Sequence, residues 1–399
     1  MISATSQDVS RTSSRCPGIS LRPGGVFLIL CLLAWSGPLF AADSSEGDAS
    51  RFDVLTAEEW QALDTAVDRG LEFLSRTQQP DGSFAAPERG QPGITSLCVM
   101  AFLSRGHVPD RGPYGDQLAR AIDYVLGTQQ PSGLLFDQPI NPAWHFGSTN
   151  HTAIYNHAIA GLMLGEVYGM TDEAQRVRIS AAITSAVRFT RERQLQPKRD
   201  QIDHGGWRYL GSLSSLKSDA DLSITTWQLM FLRSARNGEF EVPKEAIDDA
   251  MGYVRRSFEP AEGAFAYGRK YPGKQVNRAM AGSGILSLSL GGEHQSDMSK
   301  SAGAWILRHS FDRYNRVEHH EERYHYSAYY CSQAMFQLGG EYWAHFFPRF
   351  QRVLIDNQQA DGSWPREANK DGHFGNAYTT ALVVLSLTPP YQLLPIYQR

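Results

Sequence analysis

Two kinds of hydrophobic pattern alternate along this chain. In the first, apolar residues recur every three or four positions among charged ones. Leu63, Val67, Leu71 and Leu74 form such a stripe, with Asp64, Asp68 and Glu72 on the opposite face. This period predicts amphipathic helices with one face in solvent, over 57–76, 115–127, 172–193, 244–257, 297–310 and 341–357. In the second kind the segment is apolar nearly all round, as in TSLCVMAFL, AIYNHAIAGLMLGEVYG, ITTWQLMFL, GSGILSLSL and AYTTALVVLSL. Such segments predict fully buried helices, beginning near Thr95, Thr152, Leu222, Arg278, Ser327 and Tyr378.

A recurring phrase joins the two kinds: TQQPDGSF at 77–84, TQQPSGLL at 128–135 and NQQADGSW at 357–364. Pro80-Asp81-Gly82 and Ala360-Asp361-Gly362 are turn chemistry, with glycine free to take positive φ and aspartate able to bond the nearby backbone. Six two-helix units, spaced at roughly the fifty to seventy residues of an α-hairpin repeat, predict an all-α fold. No stretch alternates with the period of a strand. Six outer and six inner helices suggest a closed (α/α)6 toroid; an open superhelix is the structural rival. The tail 389–399 carries three prolines and is expected to lie extended over the ring.

Composition narrows the function. The chain has 399 residues, 42% hydrophobic and 20% charged, with a net charge of −4. Its basic residues are scattered, which sets aside nucleic-acid binding. At the N-terminus, Arg11, Arg15 and Arg22 precede a short apolar run, VFLILCLLAW, and then small residues up to Ala41 and Ala42. That order predicts a secretory signal peptide over 1–42, a single mature domain over 43–399, and export to the periplasm or the cell exterior. Cleavage removes Cys16 and Cys31. The remaining pair, Cys98 and Cys331, lies in apolar helical contexts and reads as small buried hydrophobes instead of a disulfide framework.

Several residues carry candidate chemistry. Ser218 to Asp221 has the spacing of a helix cap, and Asp219 and Asp221 sit where a buried helix begins, a position that serves capping or catalysis. His157 lies mid-helix among apolar residues, so its imidazole needs a partner, in the core or on a cavity wall. His325 stands at the start of another buried helix. Trp144, Tyr155, Trp207, Trp227, Tyr267 and Tyr329 recur at loop ends and inner-helix starts, where aromatic faces either pack or stabilise a cation.

The run RGLEFLSRTQQPDGSF closely resembles the QW motif of squalene-hopene cyclases, and RAIDYVLGTQQPSG and FQRVLIDNQQADGSW are similar. GGWRY and GAFAYG look like degenerate copies. The resemblance extends over nearly all of the mature chain and implies the toroid shared by terpenoid cyclases and protein prenyltransferases. It further implies a small hydrophobic ligand, peripheral membrane contact and acid-initiated cyclisation or isomerisation of an isoprenoid. Asp219-Ala220-Asp221 matches the cyclase acid segment, placing Asp221 as proton donor, with Asp219 and His157 or His325 tuning it; Leu222 replaces the third acid of that motif. The prenyltransferase overlay gives Asp219, Asp221 and His325 as metal ligands, but its thiolate is missing and no metal is assigned. The sequence leaves the cofactor open and makes no protein partner evident. A lipid- or peptide-binding toroid and a carbohydrate-active (α/α)6 enzyme are the alternatives.

Overall fold

The computed structural model describes residues 53–140, 148–210, 218–268, 276–317 and 322–398. The leader 1–42, Trp144, His319 and His320 lie outside them.

Twelve α-helices occur among the described residues, and the two burial classes separate in space as the patterning implies. The outer set is α1 (Ala57–Arg76), α3 (Gly115–Gly127), α5 (Glu173–Gln194), α7 (Lys244–Arg256), α9 (Asp297–Arg308) and α11 (Gly340–Ile355). The inner set is α2 (Gly93–Leu103), α4 (Thr149–Val167), α6 (Leu222–Asn237), α8 (Arg278–Leu290), α10 (Tyr324–Leu338) and α12 (Gly375–Leu387). Helix α1 buries the predicted stripe of Leu63, Val67, Leu71 and Leu74, and its start is fixed by a capping box between Thr56 and Glu59. Every residue of α2 is buried. Each inner helix packs on the next, and α12 returns to pack on α2, so the ring closes and the open superhelix is excluded.

The repeated phrase is the seam between successive outer helices. Gln78 Nε2 donates to the Gly82 carbonyl and to Gln117 O in α3, at 3.0 and 2.7 Å. Gln129 makes the same pair of bonds to Gly133 and to Ala182 in α5, and Gln194 to Gly205 and to Ala246 in α7. Gln358, after the last outer helix, bonds Gly362 and Ala66 of the first. The same seam therefore closes the ring. Its glycine is required twice over: Gly362 has φ +91°, and a Cβ there would stand 2.3 Å from the Arg69 carbonyl.

Two features differ from expectation. GAFAYG supplies the second strand of a two-stranded hairpin, β1 (Phe258–Glu259) with β2 (Ala264–Phe265), and its Gly263 carbonyl accepts from Ser301 of α9 in place of a glutamine stitch. The proline-rich tail is not fully extended. It forms two 3-10 turns, Pro389–Tyr391 and Pro395–Tyr397, packed across the end where the inner helices finish. There the Ile396 amide donates to Glu166 Oε2 at 3.0 Å, Gln337 Nε2 reaches the Tyr397 carbonyl, and the Tyr397 and Tyr329 hydroxyls bond each other.

Candidate functional site

With one end plugged, the ring is hollow toward the other. Among the described residues, a cavity of about 430 Å³ is lined by the N-terminal halves of the six inner helices and the loops that precede them. Its depth follows from α4, where His151 and Ile159 both line it; eight residues of helix span about 12 Å. Polarity is graded along that depth. Leu97, Ile159, Trp227 and Leu382 form the inner part, while Arg89, Arg208, Arg323, Glu322 and Asp371 gather at the mouth.

Aromatic side chains make up much of the wall, held by a hydroxyl relay. Tyr155 donates to Ser223 Oγ at 3.1 Å, Ser223 and the Tyr326 hydroxyl are 2.7 Å apart, and Trp227 Nε1 donates to Tyr326 at 2.8 Å. Arg208 lies 4.2 Å over the Tyr209 ring and donates to the Tyr267 hydroxyl at 2.7 Å. This is a cation–π stack within a desolvated site.

Two carboxyls reach the lining. Glu322 is clamped by Arg278 through Nε at 2.7 Å and Nη2 at 3.0 Å. Asp371, on the turn before α12, contacts Arg323 Nε at 3.0 Å. Burial pushes the Asp371 carboxyl above its ordinary value; Arg323 draws it back and the neighbouring Glu367 pushes it further. His151 is driven the other way, down to about 4, by burial and by the positive fields of Arg208 and Arg323. Both arginines therefore act on one place in the mouth, and the imidazole there is neutral.

The sequence-derived site residues divide sharply. Tyr155, Trp227 and Tyr267 line the cavity. Asp221 does not. It is fully buried behind Arg208, caps α6 through the Ile224 amide and makes an ion pair with Arg208. Burial raises its carboxyl while Arg208 and that amide pull it down. Asp219 points away from the cavity and pairs with Arg199, whose hydrogen bonds hold it below its usual range. His325 bonds Glu367 at 2.6 Å and the Tyr314 hydroxyl at 2.8 Å, behind the wall. Asp219, Asp221 and His325 therefore have separate partners, and no cluster of three metal-binding side chains occurs among the described residues. Trp207 lies in the core, with its indole on the Thr190 carbonyl, and Tyr329 belongs to the plugged end.

His157 has a scaffold role that the repeat explains. The amides of Phe84, Trp207 and Trp364 each donate to a threonine hydroxyl on the following inner helix, Thr95, Thr225 and Thr380. In the second repeat Leu135 N–H donates instead to His157 Nδ1, at 3.1 Å. Its Nε2 meets Thr190 Oγ1 at 2.9 Å, and burial lowers its pKa to about 3, so the ring is a neutral bridge.

Arg89, Arg208, Arg323 and Asp371 were not singled out from sequence. The signal that finds them is positional. Once the repeat is aligned, the residues that face the hollow are found shortly before an inner helix and in its first turns.

No protein-family model matches the chain, and no curated protein sequence matches it. Solved structures do. A variant of the type II terpene cyclase MstE from Scytonema, in complex with its substrate geranylgeranyl dihydroxybenzoate, superposes with a TM-score of 0.55 at 15% identity, over 85% of this chain and all of that one. A protein from Actinoplanes gives 0.53 at 16% identity, over 82% of this chain and 99% of that one. A glycosidase in complex with glucose gives 0.52 at 15% identity, over 86% of this chain and all of that one. The chain thus has the (α/α)6 toroid fold that a type II terpene cyclase and a glycosidase also have.

Proposed function

We propose that this protein is a terpenoid cyclase-like enzyme that protonates an unsaturated isoprenoid lipid inside the ring and directs its cyclisation or isomerisation. The observation that carries this reading is the dead-ended, largely aromatic cavity with Asp371 at its wall. The acid is Asp371 instead of the Asp221 expected from sequence, because Asp221 is walled off by Arg208. Burial raises this carboxyl toward its protonated form, and from that form it delivers its proton to an alkene carbon. The new C–H bond consumes the π pair, a cation forms at the more substituted carbon, and the faces of Tyr155, Trp227, Tyr267 and Tyr326 stabilise it. Loss of a proton from an adjacent carbon restores a double bond and leaves an isomer of the substrate.

The likeness to a terpene cyclase supports this reading. Export through the 1–42 leader and contact with a membrane surface belong to the same proposal, since the substrate dissolves in lipid. No helix among the described residues is long and apolar enough to cross a membrane.

The test is incubation with linear isoprenoids in deuterium oxide, followed by mass spectrometry. An isomer carrying one solvent deuteron per protonation step is expected. Recovery of unchanged, tightly bound lipid replaces the enzyme with a binding protein. Release of reducing sugar from glycans, with isoprenoids untouched, replaces it with a carbohydrate-active toroid.

A further inference from the structure

The cavity mouth is asymmetric. Asp371, Arg323 and Glu322 occupy the side of α10 and α12. On the side of α2, α4 and α6, Arg89 and Arg208 line the wall; Asp221, which pairs with Arg208, stands behind it and does not reach the lining. The Arg208 guanidinium is fixed by its stack on Tyr209. Arg89 is fixed through its backbone, since Asn156 Nδ2 holds its carbonyl at 2.9 Å and Asn156 Oδ1 holds the Gly93 amide at 2.7 Å. Between them lies the first turn of α4, the positive end of that helix's dipole. On that turn Thr152 is 6% exposed and lines the cavity, and its hydroxyl has no hydrogen-bond partner among the described residues. Leaving a buried hydroxyl without a partner is destabilising, so this one is placed for a polar group that arrives with the ligand.

We propose that the lipid carries an anionic head group, a carboxylate or phosphate, seated between Arg89, Arg208 and Thr152 at the start of α4. The assignment rests on the isoprenoid reading above and names the class of lipid. The anion accepts hydrogen bonds from the guanidiniums and from Thr152 Oγ1, while the chain descends toward Trp227 and Leu97. A chain longer than the depth of about 12 Å folds back, so that a double bond far from the head returns to Asp371 on the opposite side of the mouth.

The experiment is titration calorimetry of the full chain with three probes of identical tail: geranylgeranoic acid, geranylgeranyl monophosphate and geranylgeraniol. At least one anion is expected to bind roughly tenfold more tightly than the alcohol, the tighter of the two identifying the head group. Thr152→Val, which keeps shape and removes the hydroxyl, is expected to weaken the anions about threefold to tenfold and leave the alcohol unchanged. Arg89→Gln is expected to reduce the preference for anions further. Equal affinity for all three probes, or equal weakening of all three by Thr152→Val, overturns the head-group assignment and leaves the isoprenoid reading standing. Failure of all three to bind removes both.

Discussion

At the plugged end of the ring Glu166 is buried among neutral partners, whereas at the mouth Asp221 and Asp371 are buried against arginines. Glu166 is 1% exposed and accepts from Ser234 Oγ and the Ile396 amide. Burial pushes its carboxyl up to about 7, and those two donors offset only part of the shift. Asp221 is as deeply buried, yet Arg208 sits on it, and Asp371 has Arg323. Equal burial of Glu166 and Asp221 thus yields different groups. With only neutral donors the buried Glu166 carboxyl is raised and serves as a latch to the tail, while Asp221 holds Arg208 in place behind the wall, and Asp371, raised by burial and drawn back only in part by Arg323, faces the hollow.

The comparison can be broken in four ways. Asp371→Asn is expected to cut turnover about a thousandfold with lipid binding retained, while Glu166→Gln leaves kcat unchanged. Comparable losses from both would mean that the ends are not functionally distinct. Next in size, Arg208→Met strands Asp221 without its cation and is expected to lower stability by about 3 kcal/mol in urea denaturation, with Arg208→Met/Asp221→Asn recovering most of it.

The pH dependence comes third. The folded chain holds the Glu166 proton more tightly than the unfolded chain, so this contribution favours folding at low pH and is lost as pH rises through about 7. Stability of the wild type is expected to fall by about 2 kcal/mol more than that of Glu166→Gln between pH 5 and pH 8, measured by thermal melts. Parallel curves for the two proteins would sink the latch. Smallest is Tyr397→Phe, which removes the hydroxyl that meets Tyr329 and is expected to cost about 1 kcal/mol while leaving the cavity and its ligand affinity as they were.

Much of the scaffold was legible because its signals are local. Burial class, period and turn chemistry placed all six hairpins, with helix ends off by a few residues at most. The phrase beginning at Thr77 was read as a stitch, and the structure shows which peptide groups it joins. The site was less legible. His157 was singled out because a mid-helix histidine among apolar residues is unusual, but in the second repeat it occupies the position where others have a threonine. Asp221 was singled out by a motif, and Arg208, thirteen residues earlier, stands between it and the hollow. Asp371 sits in an unremarkable loop, ANKDGHF, with no local pattern to mark it.

The chain's own pattern determined that there would be two classes of helix, a repeated seam and turns that need glycine, since each depends on neighbours within a few residues. Only the closed ring decided which end would be plugged by the tail, which polar side chains would meet at the mouth, and which acid would face the hollow. Those outcomes depend on the rotation of six helices about a shared axis and on contacts such as Gln358 with Ala66 and Ile396 with Glu166, between residues hundreds of positions apart.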